Sequence, residues 1–402
     1  MYIVISDIFS KGHHLTFMQQ YALVLLNQNK KLMILYPEPE KITQYLKENS
    51  NNYQNNVIAE TIQESSFKLN IHPLFYHYIL TLKRWFNLNK TIKQGQKKHQ
   101  IKVKYVFIAW LDSYLFKYIP NILISLLFRY KWSGLYFHPN HIRINKYNEK
   151  SKANCFTIDN ILKNKNCFAV AVLDYFIAQK LQYRINKTIL NFTDITNISF
   201  EPNYNNEITD AIKKYSQNRT VVGFIGFEKR KNIINLIKLI EKYGANDFLF
   251  VIVGDIKTDS FEEDEKILLK NFLKKPSDNF LIFNKYLSDG FEYNAVFNLF
   301  DIAWACYVNF YTASNILVKA SFFKKPVIGS TNNYIHDAIK KYYLGIAANP
   351  NNIDEIYMAL QNIKIKNFTE PKFTEFYNLH SIETLNKAFY NLDESFDKYE
   401  RN

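Results

Sequence analysis

Strand-length apolar runs alternate with stretches of helical period along both halves of the chain. That alternation builds parallel sheets joined by crossover helices, so the sequence predicts an α/β protein. The pattern is sharpest in the second half, where residues 221–227, 248–253, 279–283, 301–306, 326–329 and 344–348 read as six strands. Between the first two, Ile233, Ile234, Leu236, Ile237 and Ile240 recur on one face of a helix. In the first half, 2–6 and 31–36 bracket a helix carrying Phe17, Tyr21, Val24 and Leu25. Further strands fit 103–110 and 134–137, and 167–172 leads into a helix through Leu181. The polar stretch 191–205, with Pro202, breaks the pattern and predicts an interdomain hinge. Two domains are therefore expected, 1–200 and 206–380. The helical segment 381–402 lies beyond the second sheet and is expected to pack back onto the first domain.

Composition fits this division. The 402 residues, 47% of them hydrophobic, are enough for two cores, and ten glycines with ten prolines exclude a collagen-like or linker-rich chain. The formal charge of +14 is unevenly spread. Residues 1–200 hold 26 Lys and Arg against 11 Asp and Glu, whereas residues 201–402 hold 25 against 26. Much of the excess falls between Lys83 and Lys104, where eight cations meet no acid. That run reads as a solvated loop or as a patch for an anionic membrane, where each cation contributes about 1 kcal/mol. It has no recognised nucleic-acid-binding pattern, so no nucleic acid is expected as a partner. Residues 119–128 are apolar but far short of the roughly 20 that span a bilayer, and read as a buried helix or a membrane-surface contact. Cys155, Cys167 and Cys306 lack metal-ligand spacing and read as reduced core residues. Met1 leads straight into the first strand with no signal-peptide pattern, so a cytoplasmic address, peripheral on the inner membrane face, is expected.

Three loops carry candidate chemistry. Ser10-Lys11-Gly12-His13-His14 lies between the first strand and its helix, where an open α/β sheet places its ligand crevice. Gly12 lets the backbone approach a ligand, and the helix start supplies amides. The loop is not a G-x-G-x-x-G, so no dinucleotide cofactor is expected. Gly226-Phe227-Glu228-Lys229-Arg230-Lys231-Asn232 follows a strand and is expected to open a helix. Three cations at a helix start oppose its macrodipole, and a bound diphosphate resolves the conflict. Solvated surface residues are the plain alternative. Tyr311-Thr312-Ala313-Ser314-Asn315 precedes the helix 316–323, whose first amides are free for phosphate oxygens unless Ser314 or Asn315 serves only as its N-cap. In the first half, Asp112, His138, His141 and Asp174 stand at strand exits, placed to meet an acceptor or to act as local polar caps.

The succession Val222-Gly223-Phe224-Ile225-Gly226 with Arg230-Lys231, then Leu249-Phe250-Val251-Ile252-Val253-Gly254, Asp301-Ile302-Ala303, Ala313 to Ala320, and Lys325-Pro326-Val327-Ile328 resembles the donor domain of family 4 glycosyltransferases with the GT-B fold. The stretch 191–202 is similar to that family's linker, and Gly12-His13-His14 to its N-terminal glycine loop. Residues 40–100 match no part of it. The resemblance implies two Rossmann-like domains facing a central cleft, and transfer with retention of configuration. The C-terminal domain would hold a nucleotide-diphosphate sugar as co-substrate, with no resident cofactor or metal. A glycan or lipid-linked acceptor would lie against the N-terminal domain. It further implies that Arg230 and Lys231, with Lys229 beside them, neutralise the leaving diphosphate, and that Gly12, Gly226, Gly254, Thr312, Ser314 and Asn315 line the donor. His13, His14, Asp112 and His141 would face the acceptor, and His138 the transferred sugar. Many members carry two Glu residues around the 316–323 helix where this chain has Tyr311 and Lys319. Lys319 is then expected as a substituted donor contact, to phosphate or ribose. The departure also raises the alternative of a non-catalytic subunit that binds a sugar nucleotide or glycan and supports a partner enzyme.

Overall fold

The computed structural model describes residues 1–10, 14–65, 72–144, 151–202 and 204–401. They form two compact units, residues 1–193 with 381–402, and residues 194–380.

Seven parallel strands make the first sheet: β1 (Tyr2–Ser6), β2 (Lys31–Tyr36), β3 (Val57–Thr61), β4 (Val103–Ile108), β5 (Trp132–Tyr136), β6 (Ala169–Val172) and β7 (Thr188–Asn191), in the order β3-β2-β1-β4-β5-β6-β7. The interior strands are buried along most of their length, as a parallel sheet covered on both faces requires. Edge strands β3 and β7 are half-exposed, carry polar residues, and were not evident in the apolar pattern. On one face, Trp85, Phe128 and Trp132 anchor the core, with Trp85 ring centres 5.1 and 5.0 Å from the other two. On the other, Tyr21, Phe107, Phe192 and Phe389 interlock at 5.0–6.0 Å.

Phe389 belongs to the helix Ile382–Arg401, which is therefore part of the first unit. Its buried Asp393 pairs with Lys30 and Lys104 and accepts from the Tyr105 hydroxyl at 2.9 Å.

The cationic run is not a loop. Up to His99 it is the second half of a 27-residue helix, Pro73–His99, which buries Leu80, Trp85, Leu88 and Ile92 and turns Lys90, Lys93 and Lys97 to solvent. Residues 119–128 contain the short helix Asn121–Leu127, which buries Ile124 and leaves Ile122 and Leu126 exposed. Among the described residues no helix is long and apolar enough to cross a membrane. Cys167 and Cys306 are buried, but Cys155, expected in the core, is exposed.

The second sheet has six parallel strands: β8 (Thr220–Ile225), β9 (Phe248–Val253), β10 (Phe280–Phe283), β11 (Ile302–Ala305), β12 (Val327–Ser330) and β13 (Gly345–Ala348), in the order β10-β9-β8-β11-β12-β13. The unit begins at Asp194 rather than after the polar stretch, because Asp194, Asn197 and Ser199 are bonded to Asn315, Asn294 and Lys319 within it. Both units are Rossmann-like. In each, the strand order reverses once, at β1/β4 and at β8/β11, and ligands of such sheets bind at the carboxyl ends beside that reversal.

Candidate functional site

In the second unit three loops meet at the carboxyl ends of β8, β9 and β11. Gly226, just past β8, takes φ of 99°, and a Cβ there would come 2.9 Å from the Lys231 Nζ. Gly254, just past β9, runs so close that a Cβ on it would lie 2.8 Å from the Gly226 Cα and from the Phe227 nitrogen. Glycine is required at both positions, by dihedral angle at one and by backbone approach at the other.

Lys229–Lys231 form a 3₁₀ turn, and the helix Ile233–Tyr243 starts after Asn232, whose φ is 67°. The three cations thus do not open an α-helix as the sequence suggested. Two of them have acidic partners: Lys229 pairs with Glu265 at 2.7 Å, and Arg230 with Glu228. Lys231 has none of its own among the described residues. It is 8% exposed, and its ammonium donates to the Ile225 carbonyl. Burial, and then the neighbouring Arg230 charge, push its pKa down to about 7. The Arg230 guanidinium lies 5.6 and 5.1 Å from the ring centres of Tyr307 and Phe310, beyond β11. Two further bonds hold the Arg230–Lys231 turn: the Val308 amide donates to the Arg230 carbonyl, and the indole of Trp304 in β11 to that of Lys231, both at 2.9 Å.

After β11, the buried Thr312 hydroxyl has no hydrogen-bond partner among the described residues. Ser314 occupies the N-cap of the helix Asn315–Phe322, but its side chain makes no capping bond. Asn315 turns to the start of the unit, donating to the Asp194 carboxylate at 3.3 Å and the Ile195 carbonyl at 3.1 Å. Asp194 is buried. That burial, reinforced by Asp289 and opposed by Asn315, raises its pKa to about 7.

Lys319 is 2% exposed, and its ammonium lies 2.7 Å from the Asp289 carboxylate, 2.6 Å from the Asn294 amide oxygen and 2.7 Å from the Asn197 carbonyl. Three hydrogens meet three protein acceptors. The expected contact to phosphate or ribose is therefore replaced by a buried network, in which burial lowers the lysine pKa and Asp289 resists the shift.

In the first unit, Gly12 and His13 lie outside the described residues. His14 begins the helix His14–Asn27, with its Nδ1 2.7 Å from the Asp7 carboxylate. Asp7 follows β1, is buried, and also accepts the Phe9 amide at 3.0 Å; burial raises its pKa and His14 opposes that rise. The His14 ring lies 5.2 Å from Phe9 and 4.3 Å from Trp110, which in turn stacks on Phe137 at 4.4 Å and meets His138 at 5.4 Å.

Asp112 accepts the amides of Phe137 and His138, both at 2.7 Å, so it fastens the exit of β5 rather than capping its own turn. His138 Nδ1 lies 3.4 Å from the same carboxylate. His141 is engaged otherwise, with the Tyr136 hydroxyl at 3.3 Å and Asp159 at 3.1 Å. Against the effect of burial, His141 and Arg184 hold Asp159 well below the usual carboxylate range. Asp174 forms a two-point pair with Arg143 and caps the Phe176 amide.

The structure thus brings His14, Asp112 and His138 together with Asp7, Trp110 and Phe137, which the sequence pattern did not single out. Asp7 carried a signal: it is the one carboxylate between β1 and the glycine loop.

No family model and no curated protein matches the sequence. Solved structures do match in fold. A glycosyltransferase from Rickettsia africae is 15% identical with a TM-score of 0.60, over 100% of this chain and 98% of that one. HepE of Anabaena, solved with UDP and glucose, is 14% identical with a TM-score of 0.62, over 98% of this chain and 100% of its own. The sucrose-phosphate synthase of Thermosynechococcus elongatus is 13% identical with a TM-score of 0.63, over 98% and 99%. The chain has the two-domain GT-B fold of these proteins along its whole length.

Proposed function

We propose that the protein is a glycosyltransferase that moves a sugar from a nucleotide-diphosphate sugar to a glycan or lipid-linked acceptor in cell-surface polysaccharide synthesis. The observation that carries this reading is the cradle past β8, where two glycines leave the backbone bare beside Arg230 and Lys231, a buried cation without an acidic partner of its own among the described residues. A diphosphate at that place would supply the missing counter-charge. The binding of UDP and glucose by HepE, which shares the fold, supports the same assignment.

In this reading Arg230 and Lys231 offset the charge that develops on the leaving diphosphate, a contribution of several kcal/mol in a preorganised dry site. The Thr312 hydroxyl and the amides that follow Ser314 take phosphate oxygens. Lys319 positions the loop residues around it and does not touch the donor. The charge is met by side chains, so no resident metal is invoked. The acceptor lies at the strand ends of the first unit. Retention of configuration is the course that the family resemblance implies. The site of action is the cytoplasmic membrane face, held there through the cationic first unit.

The test is a panel of UDP, GDP and CMP sugars offered with alkyl glycosides as acceptors, products being read by mass. Absence of both transfer and binding across the panel would sink the reading. Tight UDP binding without turnover, relieved by a second protein, would favour the non-catalytic subunit, whose support is that Lys319 replaces the expected Glu and is spent within the protein.

A further inference from the structure

We infer that the Lys231 amine takes up carbon dioxide as a carbamate, and that this anion fills the place in the cradle that a donor diphosphate would take. The first half stands on the geometry of the second unit alone, and the second half rests on the sugar-transfer reading.

Two buried lysines of that unit are bonded in opposite ways. The Lys319 ammonium meets three acceptors, on Asp289, Asn294 and Asn197, one for each of its hydrogens. Lys231, 8% exposed, meets only the Ile225 carbonyl, and no carboxylate pairs with it among the described residues. A buried ammonium needs a counter-charge and partners for its hydrogens. These surroundings therefore suit the neutral amine, whose nitrogen keeps a lone pair. The charged and titratable groups around it do not supply the missing anion. Glu228 is held by Arg230, and Glu265 by Lys229. Burial, against the pull of Arg230, pushes the Tyr307 hydroxyl up to about 12, so it is uncharged at neutral pH.

The surroundings also suit the product. Gly226 brings no side chain to the amine, where a Cβ would come 2.9 Å from Nζ. The Arg230 guanidinium and the Lys231 Nζ both lie 5.6 Å from the Tyr307 ring centre. Arg230 binds Glu228 through Nε, and its terminal nitrogens have no protein partner among the described residues and are not among their buried unpaired atoms. A carbamate has the planar two-oxygen end of a carboxylate, which such a fork meets at two points. Carbon dioxide is small, uncharged and apolar, so a nearly enclosed amine is within its reach.

In the reaction the amine lone pair forms a bond to the carbon, one C–O π bond opens, and its electron pair goes onto oxygen. A proton leaves the nitrogen for solvent, and nothing is oxidised or reduced. The cradle exchanges a neutral amine for a negative group beside Arg230. A diphosphate then meets like charge where it would have met an ammonium, so donor and carbon dioxide exclude each other and transfer falls as carbon dioxide rises.

The intact protein, equilibrated with carbon-13 bicarbonate in mildly alkaline buffer and treated with triethyloxonium ion, should yield an ethyl carbamate on the peptide that carries Lys231 and none on Lys319. This arm uses neither donor nor variant, so it is independent of the sugar-transfer reading. UDP affinity is then measured with bicarbonate or with chloride at the same pH and ionic strength. At half occupancy of the carbamate the Kd for UDP should rise about twofold, since only the unmodified half binds. In Lys231→Arg, which cannot form the carbamate, bicarbonate should leave the Kd unchanged. A Kd that rises in this variant as well shows bicarbonate bound as an ion and overturns the proposal. Absence of the trapped group from Lys231 overturns it too, as does a trapped group with UDP bound as tightly as before. A trapped group on a protein that binds no sugar nucleotide upholds the carbamate and sinks the sugar-transfer reading instead.

Discussion

Lys231 holds an ammonium where an ammonium is disfavoured. Its folded pKa of about 7 lies below the unfolded value of 10.5, so between these limits the unfolded chain binds a proton that the folded chain has released. The unfavourable contribution is greatest below pH 7 and fades as pH rises toward 10.5. A diphosphate beside the amine reverses the shift, because an opposite charge favours the protonated form. UDP binding at about pH 8 should therefore take up a proton, measured by calorimetry in buffers of different ionisation enthalpy, and Lys231→Met should remove the uptake. Arg230→Ala should lower kcat by about 10²-fold, since one preorganised contact to developing charge is worth roughly 3 kcal/mol. Asp194 has the opposite sign. Its folded pKa of about 7 lies above the unfolded 3.8, so the stability it contributes is full below pH 3.8 and is lost as pH rises through 7. Asp194→Asn keeps an oxygen for the Asn315 amide, and should raise the Tm in alkaline buffer while changing it little in acid. At this scale the sequence displayed the cations but not their partners. Glu265 and Asp289 reach Lys229 and Lys319 only through tertiary packing, and a linear pattern carries no trace of that.

The helix Pro73–His99 shows why periodicity succeeded in some places and failed in others. Its apolar positions recur at helical spacing, but cations such as Lys90, Lys93 and Lys97 draw attention to the opposite face. Along that face Phe75, Ile79 and Phe86 lead to Lys90, Lys93 and Lys97, an apolar stretch followed by a charged one. The neighbouring helix Asn121–Leu127 adds exposed Ile122 and Leu126. If these surfaces hold the protein at a membrane, it should sediment with vesicles rich in anionic lipid and be released by salt. Ile122→Asp with Leu126→Asp should weaken that binding without changing UDP affinity. Strands were legible where both faces are covered. All six windows of the second half fall on observed strands, whereas edge strands β3 and β7, half in water, broke the apolar run by which the others were found. The crossing of the β8 and β9 exits offers a test at the same scale. Gly254→Ala would place a methyl group 2.8 Å from backbone, which no rotamer can relieve, so it should lower both Tm and UDP affinity.

Across the whole molecule the chain enters the second unit once and leaves it once, then returns to complete the first. The returning helix Ile382–Arg401 buries Leu385, Phe389, Leu392 and Phe396, each contributing about 2 kcal/mol of burial, and pairs with Lys30 and Lys104 through Asp393. Truncation before Ser381 should therefore remove the calorimetric transition of the first unit while leaving that of the second. Within the second unit the two crossings meet: the Asp194 amide donates to His380 Nδ1 at 3.1 Å, joining the unit's first residue to its last. A body whose ends touch behaves as a cassette. It sits in its host as an insertion at a single point, so it can be excised without stretching its fold, transplanted between hosts of the same architecture, or closed by a short linker and reopened at another loop. Exchange of the 194–380 segment between chains of this architecture would leave residues 1–193 and 381–402 joined as one body, a recombination route that the contact between Asp194 and His380 leaves open.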